Sequence, residues 1–138
     1  MAFILSVKFI KLYCIFEKSY ILFMAYDTQL ADRVRALLQE YPGWPIEEKK
    51  MFGGLGFLVH QKMCVNISGK NLMCRFDPAL QKMLAEKPGY LPMVMRGKTL
   101  AGYCLVSPEG SKTKKQIQFW IQHCLDFNKQ ARSSKKKN

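Results

Sequence analysis

Acidic side chains are scarce in this chain of 138 residues: Asp and Glu number 10 against 22 Lys and Arg, a formal net charge of +12. An excess of that size favours nucleic acid, an anionic membrane surface or an acidic protein as partner. Histidine is nearly missing as well, with only His60 and His123, isolated in sequence and in no metal or triad pattern. The five cysteines, Cys14, Cys64, Cys74, Cys104 and Cys124, include no Cys-x-x-Cys pair, which excludes the common zinc spacings. They read as reduced thiols of a cytoplasmic protein, used as small buried apolar residues. Neither a Gly-x-Gly-x-x-Gly nor a Gly-Lys-Ser/Thr loop occurs, so no phosphate-binding fingerprint is present. No cofactor or metal is expected.

Long uncharged apolar runs are also lacking. Residues 1–23 are rich in Ile, Phe, Leu and Tyr, but Lys8, Lys11, Glu17 and Lys18 cut them into pieces. A membrane-spanning helix needs about 20 mostly apolar residues in a row. A secretory signal needs one unbroken apolar block and a small-residue cleavage site. Association with a membrane surface is compatible with this mixture, but Met24-Ala25-Tyr26 reads as a natural start, with 1–23 an extension ahead of it. The expectation is therefore one domain over 24–128 and a basic tail over 129–138. The body holds 14 basic and 9 acidic residues, whereas Lys129, Arg132, Lys135, Lys136 and Lys137 concentrate charge in the tail, which is expected to be disordered.

What the chain does have is regular patterning. Asp27 is a good N-cap for a helix over roughly 27–40, with Leu30, Ala31, Val34, Leu37 and Leu38 at helical spacing and Pro42-Gly43 as its stop. Glu47-Glu48-Lys49-Lys50 reads as a solvated lead-in strand. Met51-Phe52-Gly53-Gly54-Leu55-Gly56-Phe57-Leu58-Val59-His60 then reads as a glycine-broken turn feeding the edge strand from which an antiparallel sheet is built. Keeping apolar residues on one face pairs Val59 with Met63 and predicts a three-residue connection at His60-Gln61-Lys62. A tight turn at Gly69-Lys70 sets Ile67 opposite Leu72 and Val65 opposite Cys74. One face then carries Leu55, Phe57, Val59, Met63, Val65, Ile67, Leu72, Cys74 and Phe76. Cys64, Asn66, Ser68, Asn71, Met73 and Arg75 make the other, read as an ordinary solvated face.

Asp77-Pro78 opens a second helix with Leu80, Met83 and Leu84 on its apolar side. Met93-Val94-Met95, the basic turn Arg96-Gly97-Lys98 and the run from Leu100 to Val106 give two more strands. The last helix carries Ile117, Trp120, Ile121, Cys124 and Leu125 at helical spacing. Lys112, Lys114 and Lys115 stand at its start, where the helix dipole favours acids. With Arg96 and Lys98 they are the candidate contacts to an anion or nucleic-acid backbone.

Met51, Phe52, Gly53, Gly54 and Gly56, with Gly102-Tyr103 and Trp120 downstream, resemble the N-terminal domain of the TfoX/Sxy family, over about residues 24–128. The resemblance implies a two-layer α+β domain, an antiparallel sheet of about five strands covered by helices in the order helix, three strands, helix, two strands, helix. The family is named for regulators of DNA-uptake competence, whose full-length members carry a second, helical domain; the expectation here is a stand-alone N-terminal domain. It implies no catalytic residues.

Three function classes follow. A non-enzymatic regulatory or adaptor domain binding another protein comes first. A nucleic-acid-associated protein gripping phosphates through Arg96, Lys98, Lys112, Lys114, Lys115 and the tail comes second. An enzyme would have to combine Cys64 or Cys74 with His60 or His123.

Overall fold

The computed structural model describes residues 26–41 and 43–131. The expected extension at 1–23, the end of the tail and Pro42 lie outside the described residues. Helix α1 spans Thr28–Leu38 and begins as the sequence dictates, with the Asp27 carboxylate accepting from the Gln29 and Leu30 amides at 2.9 and 3.2 Å. Its Leu30, Ala31, Val34, Leu37 and Leu38 are buried. Six strands follow: β1 Ile46–Met51, β2 Gly54–Val59, β3 Lys62–Ser68, β4 Asn71–Arg75, β5 Tyr90–Met95 and β6 Lys98–Val106. All neighbours are antiparallel, in the order β1-β2-β3-β4-β6-β5. Between β4 and β5 a 3₁₀ turn, Pro78–Leu80, runs into the one-turn helix α2, Gln81–Leu84. Helix α3, Lys114–Asn128, closes the domain.

The α+β class and element order are as expected, and the sixth strand is the charged lead-in. Residues 46–51 pair with β2 over its whole length, from Ile46 opposite Val59 to Met51 opposite Gly54. The glycine-rich strand is therefore not the edge; β1 is. Phe52 and Gly53 form the turn between them, both with left-handed backbone (φ 53° and 72°), which is the geometry a two-residue hairpin demands. Gly54 is required for a different reason: a Cβ there would collide with the Ile67 carbonyl across the β2–β3 ladder.

The β2–β3 connection corrects the sequence reading. Leu55 faces Ile67 and Phe57 faces Val65, as the apolar pattern requires, but Leu58 then faces Met63 and Val59 faces Lys62. A bulge absorbs one residue and leaves Cys64 without a cross-strand partner. The turn is consequently two residues, His60-Gln61, both left-handed (φ 51° and 65°). The bulge also exchanges two side chains: Cys64 joins the helix-covered core, while Met63, placed there by strict alternation, does not. The turn at Gly69 and Lys70 and the β3–β4 register are as expected, with Ile67 opposite Leu72 and Val65 opposite Cys74.

The helices cover one face. Leu55, Phe57, Val59, Cys64, Val65, Ile67, Leu72, Cys74, Phe76, Cys104 and Val106 meet the α1 stripe and Ile117, Trp120, Ile121, Cys124 and Leu125 of α3. Among α2 side chains only Leu84 is buried; Met83, expected on its apolar side, is 45% exposed because the helix lasts a single turn. The face read as solvated is not uniformly so. Asn66 is fully buried and Met73 nearly so. Asn66 Nδ2 donates to the Met51 carbonyl at 3.0 Å, and the Met51 side chain lies over Gly56, so the end of β1 shields this part of the sheet.

Candidate interaction surface

Helix α3 is fixed at both ends by its own domain. Thr113 Oγ1 accepts from the Gln116 amide at 3.1 Å, and Gln116 Oε1 accepts from the Thr113 and Lys112 amides at 3.1 and 2.8 Å, a capping box whose sequence signal is the Thr-x-x-Gln spacing. At the other end Lys62 Nζ donates to the Asn128 and Lys129 carbonyls, and Asn128 Nδ2 donates to the Val59 carbonyl at 3.0 Å. The capping box occupies the Lys112, Thr113 and Gln116 amides, three of the donors at this helix start. Lys114 is also committed, pairing with Glu40 at 3.0 Å, and the Lys112 carbonyl accepts from Arg33.

The candidate cations are exposed, but the fold divides them. Arg96 sits with Gly97 in the β5–β6 turn, and Lys98 is the first residue of β6. Lys112, Lys114 and Lys115 follow the far end of β6, beyond Val106. A strand rises about 3.3 Å per residue, so β6 itself runs roughly 26 Å from Lys98 to Val106, with one group at its start and the other beyond its end.

The cysteine candidates converge inside the core. Cys64, Cys74, Cys104 and Cys124 are all buried. Cys74 faces Cys104 across β4 and β6, and the Cys124 thiol meets those of Cys64 and Cys74. Sequence spacing gave no sign of this convergence, because the four residues come from β3, β4, β6 and α3. The hydrogen bond with Cys124 and burial push the Cys64 thiol up, and burial followed by contacts with Cys104 and Cys124 does the same for Cys74. Both stay protonated, hence poor nucleophiles. His60 lies against Trp44 and His123 against Phe119, at ring-centroid distances of 5.3 and 4.7 Å. Among the described residues no cluster of three or more His, Cys, Asp or Glu side chains is arranged to hold a metal.

A surface does stand out at the sheet edges. At β1, Glu47, Glu48, Lys49 and Lys50 guard the strand with charge, and Arg35 of α1 grips Glu48 through two 2.6 Å hydrogen bonds while also bonding Asp32. That pairing holds the Glu48 carboxylate below its ordinary range. At the opposite edge, β5 has no charged residue and exposes Leu91, Val94 and Met95 at 42%, 59% and 46%. The remaining signature residues are structural. Gly102 (φ 81°) backs onto the Phe76 carbonyl, Tyr103 lies under the Arg75 guanidinium, and Trp120 is in the core.

No helix among the described residues is long and apolar enough to cross a membrane. No curated protein matches the chain. The TfoX N-terminal domain matches residues 36–128, from within α1 to the last residue of α3 and so across the whole sheet. The chain belongs to the TfoX N-terminal domain family.

Proposed function

We propose that this protein is a non-enzymatic regulatory or adaptor domain that acts by binding another protein, in keeping with a family named for competence regulators. The observation that carries it is the concentration of exposed large apolar side chains on one strand. Of the five in the described residues, Leu91, Val94 and Met95 belong to β5, with Phe52 and Met83 elsewhere. An apolar stretch on an otherwise polar surface marks a protein contact. Control of transcription linked to DNA uptake is the process this reading favours, and a cytoplasmic location goes with it.

The second reading, sequence-independent binding to DNA or RNA, draws on the tail: four of the 22 basic residues fall within 132–138. The two are separated by affinity capture from native lysate, with and without nuclease. A protein partner retained after nuclease treatment is expected. Loss of every partner on nuclease treatment overturns the protein-binding reading in favour of nucleic acid.

A further inference from the structure

Resting on that protein-binding reading, we propose that the Met93–Met95 half of β5 takes up an extended acidic segment of the partner as a seventh strand, with the partner's carboxylates against Arg96 and Lys98. Among the described residues the sheet ends in two edge strands, β1 and β5, and each presents a row of backbone donors and acceptors that can pair with another chain. Natural edges are blunted by charge, proline or bulges. Edge β1 carries four consecutive charged residues. Edge β5 is blunted only at its first half, where Pro92 has no N–H and the pairing with β6 slips between Pro92 and Val94. Beyond Pro92 the strand offers Met93, Val94 and Met95, still paired to β6 through Val94 opposite Thr99 and Met95 opposite Lys98. In an antiparallel ladder alternate backbone groups point away from the existing partner, so this half keeps outward donors and acceptors available.

Charge selects the occupant. From Gly89 to Ser107 the sequence contains no Asp or Glu, and its only cations, Arg96 and Lys98, immediately follow the open half-strand. An added strand with alternating apolar and acidic side chains sets its apolar residues beside Val94 on one sheet face and its acids on the other, within reach of the cations that follow Met95, the way strand addition combines main-chain affinity with side-chain choice. A second copy of this chain pairing β5 to β5 brings an uncharged strand, and its β1 edge sets two lysines beside its two acids, so neither gives Arg96 and Lys98 a wholly acidic partner. A nucleic-acid backbone leaves Val94 and Met95 uncovered.

The test uses the full chain and two synthetic ten-residue peptides, one alternating Val with Glu and the other Val with Lys. Fluorescence polarisation gives affinity, and amide hydrogen exchange locates the site. The Glu peptide is expected to bind at least tenfold more tightly than the Lys peptide and to slow exchange at Met93–Met95 while leaving β1 unchanged. Val94→Asp, at an exposed position, should weaken the Glu peptide at least tenfold, and Arg96→Glu with Lys98→Glu should invert the preference. Equal binding of the two peptides, or protection on β1, overturns the proposal. So does protection of β5 by a dimer of the chain without peptide, or displacement of the Glu peptide by duplex DNA. The underlying reading is scored separately. A captured protein partner that still binds the Val94→Asp variant retains the adaptor function and sinks strand addition at β5. Peptide binding at β5 with no protein captured sinks the adaptor function alone.

Discussion

Glycines in the Met51–Gly56 run differ in what they tolerate, and the difference lies in the atoms each faces. A Cβ on Gly54 would run into the Ile67 carbonyl, which is held in the β2–β3 ladder and has no freedom to move aside. A Cβ on Gly56 would meet Sδ and Cγ of Met51, the outer part of a flexible side chain, at 2.5 and 2.7 Å. Overpacking against fixed backbone costs more than overpacking against a side chain that can change rotamer; the usual range for inserted carbon atoms is about 1–3 kcal/mol. Gly54→Ala should therefore fall at or above about 3 kcal/mol and Gly56→Ala near about 1 kcal/mol. Urea denaturation midpoints of the two variants measure this. Equal losses would mean that Met51 is as immobile as the ladder.

At the scale of elements, helix α1 is joined to the outer strand β1 by Arg35, which reaches Glu48 from the helix and steadies itself on Asp32. The side chains are about one-third exposed on the Arg35–Glu48 side, so solvent screens the pair; the bidentate geometry is what lifts it above an ordinary surface bridge. Glu48→Gln should cost on the order of 1 kcal/mol at neutral pH. Because pairing with Arg35 lowers the carboxylate below its ordinary range, the contribution is fully present above that range. It is lost as pH falls through the lower folded value. Thermal unfolding of parent and variant should differ at pH 7 and converge near pH 3, and a difference that persists in acid would assign it to packing instead.

The same elements show what could be read in advance. Asp27, Asp77 and the α3 stripe announced their helices because capping and helical spacing are local. The strands were legible because their apolar residues alternate. The bulge at Cys64 was not, since strict alternation assumes that no residue is skipped, and a one-residue bulge satisfies the same apolar pairing with a shorter turn. Nor was the difference between the two sheet edges, because Tyr90–Met95 becomes an outer strand only when β6 inserts between β4 and β5. Nor was the placement of the candidate cations at the two ends of β6, which depends on topology.

Across the whole molecule, charge is distributed so that the folded body and the tail make different predictions about DNA. On the body, Lys114 is paired with Glu40, Arg35 with Glu48 and Asp32, and the free candidates are split between the two ends of β6. The tail has no such internal partners in its own sequence, with Arg132, Lys135, Lys136 and Lys137 and no acid. The structure also fixes where the tail can be cut. Asn128 is bonded to Val59, and Ala131 is only 6% exposed, so a cut after Ala131 removes four cations and leaves the last packed residue in place. Each phosphate neutralised contributes about −0.9 to the slope of log affinity against log salt on duplex DNA. If the intact chain binds mixed-sequence DNA, cutting after Ala131 should flatten that slope by about 3 to 4 units and abolish detectable binding near physiological salt. Measured by mobility shift over a salt series, an undiminished slope in the shortened chain would put the phosphate contacts on the body. It would favour the nucleic-acid reading over a protein partner at β5.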